Sequence, residues 1–305
     1  MNVIELLKAE GREPFDVLFG TDWWTDCDDV GALSLLLNAH KAGIIRLCCV
    51  GINSVMDLSA ASVDALCAER GLDIPIGIDT AAVRDPVNCR YQKPLAEASS
   101  CSLDNGDCPE AYKLYRSVLA DSDGNAVIVD VGFPEIIMQL LMSPPDGISP
   151  LPGVELVKSK VREIRLMAGD WSRDGGREYN LSAYPVCGEA GDYICRNSPV
   201  PVVFLGYEVG EKVICGGRLD RGGLAYKAYA AHGHPDGRCA WDPMTALAAV
   251  IDDDERAGYR RVTGTASVDP DTGCNHFTPS PDGKHSYLVM TREPRFYSDM
   301  IDEII

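Results

Sequence analysis

Short apolar, strand-like runs that alternate with helix-like segments constrain this chain more than any other feature. Phe15 to Phe19, Ile44 to Ile52, Ala126 to Val131, Val161 to Ala168 and Pro201 to Leu205 are such runs, and Ile74-Pro75-Ile76-Gly77-Ile78 adds another. Between them, Val30 to Ala39, Leu58 to Glu69, Glu110 to Leu119 and Pro134 to Leu141 have helical patterns, the last with Pro near its first turn. Strands that are apolar on both faces need helices on both faces. The pattern therefore predicts an α/β fold with a mostly parallel central sheet flanked by helices. Ligands of such sheets bind beyond the carboxyl ends of the strands, so the residues just after each run are the ones to weigh. Neither the polar stretch 82–107 nor the Pro/Gly loop 146–152 comes with a composition shift, and residues 1–305 read as one domain. Phe296, Met300 and Ile304, with Tyr297, Ile301 and Ile305, recur at helical spacing and predict a helix docked on the body.

Charge narrows the partners. The chain has 28 Lys and Arg against 46 Asp and Glu, a formal net charge of −18. Such a field repels nucleic-acid polymers and anionic membrane surfaces, and favours neutral or cationic small molecules. No run of about 18 apolar residues predicts a membrane span. The twelve cysteines are scattered without a CxxC pair, and Cys48 and Cys49 lie inside an apolar run. They read as reduced, structural thiols. The N-terminus carries Glu5 early and has no long apolar core, so no signal peptide is expected and a cytoplasmic location is.

The sharpest local signal follows the first strand, where Asp22, Asp26, Asp28 and Asp29 crowd into eight residues. Carboxylates so close raise one another's pKa unless a cation neutralises them. Calcium, with six to eight oxygen ligands, suits such donors; an acidic helix N-terminus favoured by the macrodipole is the alternative. Further polar groups follow other strands, in Val131-Gly132-Phe133-Pro134-Glu135, Met167-Ala168-Gly169-Asp170, Glu178-Tyr179-Asn180 and Trp241-Asp242-Pro243.

With Thr21-Asp22, Asp28-Asp29-Val30-Gly31-Ala32-Leu33, Ile74-Pro75-Ile76-Gly77 and Tyr207-Glu208-Val209-Gly210, these blocks stand in an order that resembles the inosine-uridine type nucleoside hydrolases. The resemblance covers roughly Asp16 to Met290 and has the longer spacing between the first Asp and the Asp pair. It implies a nucleoside hydrolase fold, a Ca2+ cofactor and a ribonucleoside substrate of purine or pyrimidine salvage, in a homodimer or homotetramer. Carried over by position, Asp22, Asp29 and Asp242 would ligate calcium, Glu135 would do so through its backbone carbonyl, and Asp28 would be the general base. Glu178 and Asn180 match residues that bind ribose hydroxyls. Asn53, Asp57, Asp170 and Trp241 complete the expected substrate-binding set.

The chain also departs from that family. Trp241 stands where many members have a His beside the last Asp, and His40, His232, His234, His276 and His285 match no catalytic position. Trp23, Trp24 and Trp241 would either stack on a base or form pocket walls and core. His232-Gly233-His234 with Cys239 reads as a solvated loop rather than a metal cluster, and the glycine pairs at 216–217 and 222–223 read as turns. N-glycosidic hydrolysis needs positioned oxygens around a cationic sugar, an activated water and help for the departing base. The expected function is calcium-dependent cleavage of that bond. A calcium-bound riboside-binding protein with little turnover is the alternative. A magnesium phosphohydrolase is a third reading, and it leaves Trp241-Asp242 and Glu178-Tyr179-Asn180 unexplained.

Overall fold

The computed structural model describes residues 3–24, 26–83, 89–99 and 103–305. The first third of the chain runs α1 (Val3–Ala9), β1 (Phe15–Thr21), α2 (Asp28–Lys41), β2 (Ile45–Ser54), α3 (Ser59–Glu69) and β3 (Ile76–Val83). Next come α4 (Gln92–Ala96), a 3-10 turn (Asn105–Asp107), α5 (Ala111–Asp121), β4 (Ala126–Asp130), α6 (Glu135–Met142), α7 (Gly153–Lys160) and β5 (Val161–Met167). They are followed by α8 (Tyr179–Ser182), α9 (Pro185–Asn197), β6 (Val202–Leu205) and α10 (Tyr207–Gly210). A short pair, β7 (Ile214–Cys215) and β8 (Arg238–Cys239), brackets α11 (Leu224–His232). The chain closes with α12 (Trp241–Ile251), β9 (Tyr259–Val268), β10 (Asn275–Pro279), β11 (His285–Met290) and α13 (Pro294–Ile304).

Nine strands form one sheet in the order β10-β9-β11-β6-β5-β4-β1-β2-β3. The six strands β1 to β6 pair in parallel, as does β11 with β6, whereas β9 pairs antiparallel with β10 and β11. The mostly parallel α/β sheet expected from the apolar runs is therefore present. Successive side chains of a strand point to opposite faces, and the core divides accordingly. Val17, Phe19, Val127, Val129 and Leu205 pack under α2, α3 and α12, while Leu18, Ile128, Leu166 and Phe204 pack under α5, α6 and α9.

Strand order reverses between β1 and β4, which opens a crevice at their carboxyl ends. Asp22 and Val131 sit at that crevice. The C-terminal strands were not expected, because β9 alternates buried with exposed residues and so lacks a continuous apolar run. Helix α13 buries Tyr297, Ile301 and Ile304 and docks on the body as its spacing predicts. Among the described residues every cysteine is a free thiol, and no helix is long and apolar enough to cross a membrane.

Candidate active site

The turn after β1 is built to face carboxylates toward one another. Trp23 adopts φ of 51°, a left-handed conformation uncommon for a bulky residue. Its backbone N–H donates to Thr21 Oγ1 at 3.0 Å, its indole N–H to Ser62 Oγ at 2.8 Å, and Gln92 Nε2 donates to its carbonyl at 2.7 Å. This turn leaves Asp22 at the end of β1 and returns the chain to α2, whose first residues are Asp28 and Asp29. Across the crevice, Asp242 lies in the first turn of α12. Its backbone N–H donates to Asp28 Oδ2 at 3.1 Å. Asp28, Asp29 and Asp242 bring carboxylate oxygens within 4.8 Å of one another, and all three are buried.

Burial dominates the electrostatics of this cluster. It pushes the Asp28 carboxyl well above the usual carboxylate range, and the charges of Asp26 and Asp29 push it further. Asp242 is raised by burial and then by Asp28, Asp29 and Asp22. Asp29 is raised by burial and by Asp22, against the opposing hydrogen bonds from the Thr21 hydroxyl and the Trp23 N–H. Asp22 rises to about 7, for burial outweighs the Trp24 N–H that donates to it at 3.0 Å. Three like charges at this separation are strongly unfavourable without a cation, and the donors present are all hard oxygens. The residues fit a divalent ion such as calcium.

The cluster forms one wall of a pocket of about 220 Å³, which is also lined by Asp22, Asp26, Glu178, Tyr179, Asn180, Tyr207, Arg238 and Trp241. Glu178 caps α8, and its carboxylate accepts from Asn180 N at 2.8 Å and Gly169 N at 3.0 Å. Burial nonetheless raises it to about 7. The Asn180 amide donates to the Val131 and Met167 carbonyls at 3.0 and 2.9 Å, which leaves its Oδ1 available to a ligand. Seven of the expected site residues, Asp22, Asp28, Asp29, Glu178, Asn180, Trp241 and Asp242, thus meet around one pocket.

The other four expected residues do not line it. Asn53 is fully buried and clamps the backbone of Phe133, accepting from its N–H at 3.2 Å and donating to its carbonyl. Asp57 lies in a different cleft, with Lys93 and Asp104. Asp170 accepts from Ser172 and pairs with Arg173 at 3.1 Å. The Glu135 side chain is buried at the start of α6, where Cys187 Sγ donates to Oε1 at 3.6 Å and Oε2 has no partner. Trp23 and Trp24 are buried in the core, the first edge-on to Tyr91 at 5.8 Å and the second near Phe133 at 6.5 Å. Their core reading holds; only Trp241 reaches the pocket.

Some lining residues had been given no role. Tyr179 and Tyr207 are 48% and 43% exposed and bring aromatic surface to the pocket. Tyr207 stacks on Trp241 with ring centroids 5.5 Å apart. Arg238 grips Asp26 through Nε at 2.9 and 3.0 Å and Nη2 at 2.6 Å, and its guanidinium lies 5.3 Å from the Trp241 ring centre. It lies three residues before Trp241-Asp242, but its contact with Asp26 is made by the fold. His232 carries a ring nitrogen within 4.8 Å of the Asp26 and Cys27 donor atoms, so the loop at 232–234 meets the first acidic loop rather than solvent alone.

No family model matches the chain, and no curated protein matches it. Solved structures do. An inosine-uridine preferring nucleoside hydrolase from Bacillus anthracis superposes with a TM-score of 0.67 at 14% identity, over 95% of this chain and 98% of that one. The effector protein XOO4466 gives 0.65 at 14% identity over 100% of both chains. The type III effector protein XopQ, in a complex with adenosine diphosphate ribose, gives 0.63 at 15% identity over 99% of this chain and 96% of that one. Over nearly its whole length, the chain has the α/β fold of a nucleoside hydrolase.

Proposed function

We propose that this protein binds a riboside at the carboxyl ends of β1 and β4 and hydrolyses its N-glycosidic bond with calcium as cofactor. The observation that carries the reading is the convergence of buried Asp28, Asp29 and Asp242 within 4.8 Å on the wall of a pocket that also holds Glu178 and Asn180. When bound there by Asp22, Asp28, Asp29 and Asp242, calcium would offset the carboxylate charge and hold oxygens of the sugar. Glu178 and Asn180 would hold ribose hydroxyls. Asp28 Oδ2 accepts from the Asp242 backbone, so Oδ1 would take the proton of the attacking water. The acidic wall then surrounds a sugar that becomes cationic as the bond breaks, which is where negative charge lowers the barrier.

Release of the free base from a panel of nucleosides and from adenosine diphosphate ribose tests the reading. Asp28→Asn should slow release by about 10²-fold or more, the usual scale of a general base. A wild-type protein that binds these ribosides and forms no product over long incubation would instead support a riboside-binding protein. That second reading draws on two observations: no histidine lines the pocket, and XopQ was solved with adenosine diphosphate ribose.

A further inference from the structure

We propose that Arg238 is the group that stabilises the base as it departs as a delocalised anion. This inference rests on the hydrolase reading above. The pocket has two chemically distinct sides. Six carboxylates, those of Asp22, Asp26, Asp28, Asp29, Glu178 and Asp242, line it, and the sugar belongs with the buried ones. Tyr207, Tyr179 and Trp241 supply the aromatic side, where a planar base is best accommodated. Among the described residues Arg238 is the one cationic residue in the lining, and it lies against Trp241 on that side.

Its geometry leaves donors available. Nε and Nη2 hold Asp26, whereas among the described residues no hydrogen bond engages Nη1, and the side chain is 28% exposed. Asp26 therefore fixes the guanidinium plane and directs the remaining donors elsewhere. The same contact argues against a metal ion at Asp26, Cys27 and His232, because a guanidinium already neutralises that carboxylate. A guanidinium does not give up its proton near neutrality, so its contribution is electrostatic and not acid catalysis. As water oxygen bonds to the anomeric carbon, Asp28 takes one water proton and the C–N bond breaks with its electron pair going to the base. The resulting anion, shared between ring nitrogen and carbonyl oxygen, accepts hydrogen bonds from Nη1 and later takes a proton from solvent. Uracil-type bases suit this route. Nicotinamide riboside does not, because its leaving group departs neutral and its substrate form is cationic.

The test compares uridine with 4-nitrophenyl riboside, whose leaving group departs as a stable anion with little help. Arg238→Gln should lower kcat/KM for uridine by about 10² to 10³-fold, the scale of losing one oriented donor, and lower it far less for the nitrophenyl substrate. Arg238→Lys should recover part of the uridine rate, because charge is kept while the fork is lost. Equal losses on both substrates in both variants would make Arg238 a structural residue and overturn the inference while leaving the hydrolase reading standing. A wild-type protein that cleaves neither substrate and no riboside of the nucleoside panel would overturn both. Thermal melting of each variant identifies any loss that comes from unfolding.

Discussion

A buried carboxylate that holds its proton in the folded state makes stability depend on pH in the direction opposite to an ordinary salt-bridged acid. Asp130 is fully buried at the end of β4; its Oδ1 accepts from Gly132 N at 3.1 Å, and Oδ2 has no partner. Burial raises it to about 8, and Asp22 and Glu178 rise to about 7. Between the unfolded value near 4 and these folded values, the native state holds protons that the unfolded chain has lost. Stability of the metal-free protein should therefore fall as pH rises from about 4 to about 8, by up to roughly 1.4 kcal/mol per pH unit for each titrating group. Asp130→Asn should make that fall shallower. Denaturant melts in chelator across this range are the check, and an unchanged slope would contradict the protonated assignment. At this scale the sequence was informative where chemistry is local: the crowded Asp22, Asp28 and Asp29, and the Glu178-Tyr179-Asn180 block. It was uninformative where tertiary packing decides. Asn53 lies at the end of β2 and Asp170 follows β5, as binding residues do, yet their polar atoms satisfy backbone and turn partners. Arg238 is brought beside Asp26 across 212 residues of chain, which no spacing could reveal.

Helix packing sets the distance between the carboxylates. Asp28 and Asp29 ride on α2 and Asp242 on α12, and a glycine lets these helices approach. A Cβ at Gly31 would collide with the Tyr229 hydroxyl and meet Pro243 Cγ at 3.1 Å, next to Asp242. Gly31→Ala should cost about 1 to 3 kcal/mol through overpacking. It should also weaken calcium binding, because Asp242 moves with Pro243. Calorimetric titration of calcium into this variant should give a higher Kd than wild type; an unchanged Kd would show that the helices have room to spare. The apolar run behind β1, the all-round apolar α2 and the docked α13 were legible because buried elements leave a dense pattern. Helix α12 begins at Trp241, because Asp242 and Pro243 are both favourable in a first helical turn. The sheet edge of β9 and β10 escaped notice since half of its residues face solvent.

The whole molecule carries a net charge of −18, and the fold concentrates part of it. Among the described residues, six carboxylates line one small pocket with Arg238 as their only cationic companion in the lining. A bound cation would lower that local repulsion, and an ion that binds only the folded chain stabilises it by about 2.7 kcal/mol at a hundred times its Kd. Cation, carboxylate cluster and riboside hydrolysis are thus linked in one account, and the initial rate of ribose release as a function of free calcium tests that link most directly. The account predicts a rate near zero in chelator, a saturable rise as calcium is restored and one ion bound per chain at saturation. Release that proceeds at the same rate in chelator as in calcium would contradict it.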